Sequence, residues 1–181
     1  EVLKTRILTA LIIFPATVAL VFLAPPEWFR ILLALLLLVG SYEFTRILDL
    51  PANHGRLLVA LQLAVIVAML LFWPALQPWA LPFLAAGCLA WLLLFLRLRS
   101  YRDGQAPNAA YRRLGSLAAL ATITACWFAV SWLRDRPDGE FVVFMLLLVI
   151  WASDVGAYFS GKFLGRRKLA PVIRPNKTWE G

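Results

Sequence analysis

The stretch WASDVGAYFSGKFLGRRKLAPVIRPNKTWEG, residues 151–181, sets charged, hydroxyl-bearing and flexible residues where an apolar run would otherwise continue. Asp154 comes after a run, Phe141 to Ser153, that holds no charge. A carboxylate at the centre of a membrane helix costs about 2.5–3.5 kcal/mol, so it is normally turned to a protein interior or a water-filled cavity. If the segment is helical, Asp154, Tyr158 and Lys162 fall at i, i+4 and i+8 on one face. Beside them run Ser153, Ala157, Gly161 and Gly165, small residues that predict the close approach of another helix. The basic cluster Arg166, Arg167 and Lys168 follows, and then Arg174-Pro175-Asn176-Lys177-Thr178-Trp179-Glu180-Gly181. Lysine donors, backbone N–H groups and a carboxylate in a turn at the bilayer surface suit a phosphate accompanied by a divalent metal. The pattern is not a Walker loop, because GxxxxGK(S/T) is missing and the glycines are sparse. Each feature also has a plainer reading: Asp154 paired with Lys162 or a neighbouring helix, the small residues as packing, and the basic cluster as a determinant of topology.

Composition dictates the elements that must hold these residues. Of 181 residues 62% are apolar and 15% charged, and the mean hydropathy is +0.78, against about 45–50% apolar and 25% charged in a typical soluble domain. A compact soluble body of this composition would lack the polar surface to cover itself. A soluble fold, a disordered tail and a nucleic-acid module are therefore excluded, and no nucleic-acid partner is expected despite a net charge of +8. Crossing a bilayer takes about 20 mostly apolar residues as a helix. Six runs qualify, approximately 7–24, 29–48, 57–73, 79–96, 114–133 and 141–161. The first is preceded by Lys4 and Arg6 but is longer than the apolar core of a signal peptide. Pro25-Pro26 and Pro51 separate helices, and Trp28, Trp73, Trp79, Trp132 and Trp179 lie near run ends, where amphipathic rings favour the interface. Cys88 and Cys126 sit inside apolar runs, away from any metal-binding spacing, and read as small hydrophobes. Glu43 has Arg46 at i+3, a spacing suited to a pair on the helix surface.

The fold class expected is thus an all-α polytopic integral membrane protein of about six transmembrane helices. One membrane domain covers 1–181, with five helices and their loops in 1–140 and the sixth helix plus the polar motif in 141–181. An even number of spans puts both ends on one side. All 18 Lys and Arg residues but Arg30, Arg134 and Arg136 then collect on that side, in the N-terminal segment, the 46–56 and 97–113 loops and the C-terminal tail. By the positive-inside rule that side is cytoplasmic. The chain starts at Glu1 rather than Met and stops at Gly181 inside the polar motif, so a trimmed start and a continuation are expected.

The 151–181 stretch resembles the phosphatidate cytidylyltransferase (CDP-diacylglycerol synthase) family, polytopic enzymes with a similar run of motifs. Here they read Asp154, Gly156-Ala157-Tyr158, Gly161-Lys162, Gly165, Lys168-Leu169-Ala170-Pro171 and Pro175-Asn176-Lys177-Thr178-Trp179-Glu180-Gly181. Tyr42-Glu43-Phe44 is similar to an aromatic-flanked Glu common in the family. Arg174 stands where the family usually has Ser before the Pro, and the family's aspartate-rich C-terminal signature is not among residues 1–181.

The resemblance implies transfer of CMP from CTP to phosphatidate, giving CDP-diacylglycerol and pyrophosphate, with Mg²⁺ as cofactor. It implies Asp154, Lys177 and Glu180 as catalytic residues, Asp154 and Glu180 also as metal carboxylates, and Tyr158, Lys162, Arg167, Lys168 and Thr178 as substrate-binding residues. Part of the active site would lie outside this sequence. The partners implied are CTP, phosphatidate and the membrane lipid; a homodimer is allowed for, though nothing in the sequence demands one. The location implied is a bacterial inner membrane with the site facing the cytoplasm. Two competing functions are a CTP-dependent polyprenol or phytol kinase and a transporter or channel subunit with Asp154 and Glu43 along an ion path.

Overall fold

The computed structural model describes the backbone of residues 2–98, 108–170 and 174–181, and the side-chain surroundings of 11–93, 95–96, 108–169 and 177–181. Its helices are α1 (Val2–Leu23), α2 (Pro26–Ile47), α3 (Ala52–Leu71), the single turn α4 (Trp73–Leu76), α5 (Ala80–Leu98), α6 (Ala109–Arg134) and α7 (Gly139–Phe163). A short hairpin, β1 (Lys168–Ala170) and β2 (Arg174–Thr178), closes the chain. Among the described residues five stretches are long and apolar enough to cross a membrane: Pro26–Ile47, Ala52–Leu71, Trp73–Leu93, Ala109–Arg134 and Gly139–Phe163. Helix α1 adds an apolar stretch over Leu11–Leu23. The protein is therefore an α-helical integral membrane protein.

Most helices begin a few residues before their apolar runs, because the first turn of a helix is set by capping rather than hydropathy. Pro26 opens α2 and Pro51 precedes α3, where a missing N–H costs nothing. Asn108 caps α6, its side-chain oxygen accepting the Tyr111 N–H at 2.8 Å. Of the basic residues in the 97–113 loop, Arg99 and Arg102 lie outside the described residues, as do the side chains of Lys4, Arg6 and Arg97.

Helix α6 is the hub, packing against α2, α3, α5 and α7. Ala34, Ile66, Met69, Trp73, Ala80, Trp127 and Phe128 form the main core. A second cluster joins Val21 of α1, Phe29 of α2 and Val143 of α7. Midway along the bundle the fully buried Gln62 of α3 donates from Nε2 to Thr124 Oγ1 of α6 at 2.9 Å.

One end of the bundle, where α1, α3 and α6 finish and α2 and α7 start, is held by buried charge. The Asp135 carboxylate accepts from Arg30 Nη1 at 2.8 and 2.9 Å and from Trp73 Nε1 at 2.7 Å. Arg134 donates to the Val21 and Ala24 carbonyls at 3.0 and 3.2 Å and to Glu140 at 2.7 Å. Trp127 Nε1 donates to the Arg30 carbonyl at 2.9 Å. Arg30 and Arg134 are 7% and 6% exposed, so these bonds satisfy guanidinium groups that would otherwise be desolvated at a cost of several kcal/mol. The loop charges that signal topology in the sequence are thus, at this end, structural. Trp73 departs from the expected interfacial position for the same reason: it is 7% exposed, sealed in the core with its indole N–H on Asp135. Trp28 and Trp79 are exposed as expected, and Cys88 and Cys126 are exposed and unpaired.

Candidate functional site

The polar motif is built from the second half of α7 and the hairpin that follows it. Helix α7 runs unbroken through Asp154, since its apolar sequence contains neither Pro nor a β-breaking turn before Leu164. Its only fully buried residues are Gly139 and Val143 near its start, with Trp151 meeting the Phe14 ring of α1 at 5.5 Å. Beyond that point Asp154, Tyr158 and Lys162 are all exposed. Lys162 Nζ lies 5.7 Å from the centre of the Tyr158 ring and 5.8 Å from that of Phe163, so the predicted shared face of Tyr158 and Lys162 is present. Asp154 has no hydrogen-bond or ion-pair partner among the described residues. A pair with Lys162 is beyond reach, because eight residues along a helix span about 12 Å.

The stripe of small residues beside this face receives something other than the helix that was expected. A methyl group added at Gly161 would sit 3.3 Å from Thr178 Oγ1, and one at Gly165 would strike Thr178 at 2.9 Å as well as the Gly161 carbonyl. One at Gly181 would meet the Ala157 carbonyl at 2.8 Å. The glycines therefore allow the chain's own tail to fold back on α7. Small side chains permit any backbone to approach, so the sequence pattern could not tell a strand from a helix.

The tail also differs from the predicted turn. Arg174–Thr178 forms strand β2, paired antiparallel with β1 so that Lys168 faces Thr178 and Ala170 faces Arg174, with an irregular register between. The side chains of Arg174, Pro175 and Asn176, and residue Pro171, lie outside the described residues. Trp179 N–H donates to the Arg167 carbonyl at 2.9 Å, and Arg167 N–H reaches both Glu180 oxygens at 3.3 and 3.4 Å. The Glu180 carboxyl is held below the usual carboxylate range by backbone N–H groups, first its own and then that of Arg166, with a lesser one from Arg167, against the opposing effect of burial. Gly181 N–H donates to Thr178 Oγ1 at 3.3 Å, which leaves the Thr178 hydroxyl proton available as a donor. Side chains alternate along a strand, so with Thr178 against α7 the exposed Lys177 points the other way.

The structure thus joins Arg167, Lys168, Thr178 and Glu180 in one hairpin, docks that hairpin on the Gly161–Gly165 end of α7, and leaves Lys177 exposed, without a partner among the described residues. Gly161 and Gly165, expected to admit another helix, instead seat the tail, together with Gly181. The backbone N–H of Arg166 joins the site through Glu180, a contribution no side-chain pattern could reveal. Glu43 pairs with Arg46 at 3.8 Å on the exposed side of α2, which accounts for it without a role in the motif. Among the described residues no three His, Cys, Asp or Glu side chains form a metal-holding group.

Comparison with known proteins bears on what this arrangement does. Residues 4–181 match the model of the cytidylyltransferase family. The chain is 31% identical over 180 residues to the phosphatidate cytidylyltransferase of Pseudomonas aeruginosa, covering 99% of this chain and 65% of that protein. It is 30% identical over 193 residues to that of Haemophilus influenzae, with 99% and 67% covered, and 30% identical over 180 residues to that of Brucella suis, with 99% and 62% covered. The chain thus spans about two thirds of the length of these curated relatives. No solved structure matches it.

Proposed function

The chain belongs to the cytidylyltransferase family, and on that premise we propose that the protein it comes from transfers CMP from CTP to phosphatidate. The observation that carries the reading is the docking of a hydroxyl-, cation- and carboxylate-bearing hairpin on the exposed Asp154–Tyr158–Lys162 end of α7. In the reaction a lipid phosphate oxygen attacks the α-phosphorus of CTP. A new P–O bond forms, the bond to the bridging oxygen of the β-phosphate breaks, and pyrophosphate leaves. The nucleophile is already anionic at neutral pH, so no base is required. The protein's work is to offset the repulsion between two phosphates and to stabilise charge on the departing one.

Lys162, Lys168, Lys177 and Arg167 are the cations for this, and Thr178 supplies a hydroxyl donor. Mg²⁺ fits the donors on hand: it takes hard oxygen ligands, commonly one or two carboxylates together with substrate phosphates and water. Asp154, exposed and unpartnered, is the stronger carboxylate for it, and Glu180, already accepting from Arg167 N–H, is the weaker. Bound there, the ion would draw off negative charge from the phosphates. The asymmetry of basic residues along the chain supports a site on the cytoplasmic face of a bacterial inner membrane. The ion-path alternative finds no support in Glu43, which is paired with Arg46 on α2.

The test is phosphatidate-dependent release of pyrophosphate from CTP with Mg²⁺ in detergent, run on this chain and on the full reading frame containing it. Release that requires phosphatidate in the longer protein is the expected result. Phosphorylation of a polyprenol or phytol, with no dependence on phosphatidate, would replace the proposal by a lipid kinase.

A further inference from the structure

At the end of the bundle opposite the buried Arg30–Asp135 pair, α3 and α6 part to leave a groove of about 590 Å³. Its walls are Leu50, Leu57, Leu58, Leu61, Leu117 and Leu120, and its mouth carries His54, Arg112 and Arg113. None of these belongs to α7 or the hairpin. The two helices both begin here, α3 at Ala52 and α6 at Ala109, so two positive helix ends converge on the same opening. Asp49 takes one guanidinium arm, Arg112 Nη2, at 2.8 Å. Arg112 Nε has no acceptor, and Arg113 and His54, both exposed, have no partner among the described residues. The groove therefore combines an excess of positive charge with a leucine floor at the depth where a helix bundle leaves the hydrocarbon.

We propose that this groove holds an anionic glycerophospholipid of the surrounding leaflet, its phosphate on Arg113 and Arg112 and an acyl chain along Leu57, Leu61 and Leu117. Charge selects the occupant: in a zwitterionic lipid the ammonium group offsets the attraction of its phosphate to the cations, and a soluble anion leaves the leucines unfilled. Basic pockets between membrane helices take acidic headgroups for this reason. The proposal does not depend on the reaction proposed above, since it concerns a lipid that resides and does not react.

The test is native mass spectrometry of the delipidated protein titrated with phosphatidylglycerol or with phosphatidylcholine. One phosphatidylglycerol per chain should be retained, at least tenfold tighter than phosphatidylcholine. Arg113→Glu should lose that preference, and Leu61→Trp, which fills the groove without touching its charge, should weaken phosphatidylglycerol itself. Arg136→Gln, at the other end of the bundle, should behave as the parent does. Equal retention of the two lipids, or full retention by both Arg113→Glu and Leu61→Trp, would overturn the proposal. Displacement of the lipid by millimolar inorganic phosphate would overturn it in favour of a soluble anion.

Discussion

The two ends of the helix bundle treat charge in opposite ways. At one end Arg30 and Arg134 are buried and matched to Asp135, Glu140 and backbone carbonyls across α1, α2, α6 and α7, and Arg136 covers the Trp132 ring at 3.9 Å. At the other end Asp154, Lys162 and Lys177 stay exposed and form no ion pair among the described residues. Desolvated charge is tolerated only when matched, so the first set is committed to holding the helices. An exposed charge with no protein partner has its interaction with a ligand still available. The contrast separates residues that make the fold from residues that can act on a phosphate, although both sets are charged and both lie near helix ends.

Mutation should divide the two sets along that line. Asp135→Ala leaves the Trp73 indole N–H without an acceptor and the buried Arg30 guanidinium with only Glu27, at 3.5 Å, and a loss of about 3 kcal/mol in unfolding free energy is expected. A loss below 1 kcal/mol in detergent unfolding would dissolve the distinction. Asp154→Asn and Lys177→Ala should do the reverse, lowering the rate of phosphatidate-dependent pyrophosphate release about 10²–10³-fold, the range for losing one charge-stabilising group, with an unchanged Tm. Ordinary turnover by either variant would remove that residue from the site, and a fall in Tm for Asp154→Asn would return it to packing.

The seat of the hairpin can be tested without touching a charge. In Gly165→Ala the new methyl group collides with Thr178 and the Gly161 carbonyl, a local overpacking of about 1–3 kcal/mol. Amide protection at Trp179 should fall while the Tm of the bundle stays constant; a hairpin that remains docked would show that the tail is not seated on these glycines. The smallest effect expected is titration of Glu180. A carboxylate with a folded pKa below its unfolded value stabilises the folded form at pH above the unfolded value, near 4.3 for Glu, and the contribution is lost as pH falls through the folded one. The Arg167 amide resonance should therefore hold steady above about pH 4.3 and move in stronger acid. In Glu180→Gln it should not move.

Some of this was legible from residues alone. The six apolar runs correspond to helices, and the i, i+4 placement of Tyr158 and Lys162 puts them together as expected, because hydropathy and helical periodicity are properties of a residue and its near neighbours. Strand β2 was not legible: Arg174–Thr178 is short, polar and contains a Pro, with no alternation to betray it. Nor was the reason for the glycine stripe, since Gly161 and Gly165 specify only that something comes close. The core position of Trp73 was hidden too, because an indole at the end of an apolar run looks the same whether it meets headgroups or Asp135.

What the sequence by itself determined is the membrane class, the approximate number of spans and the chemical inventory of residues 151–181. These depend on local composition, which a chain carries whatever its fold. Only the tertiary structure decided which charges are matched and which are left exposed. Arg30 and Asp135 are separated by 105 positions, and Arg134 finds the Val21 carbonyl of α1 113 positions away. Burial and partnership are set by such contacts, and no pattern of neighbours along the chain encodes them.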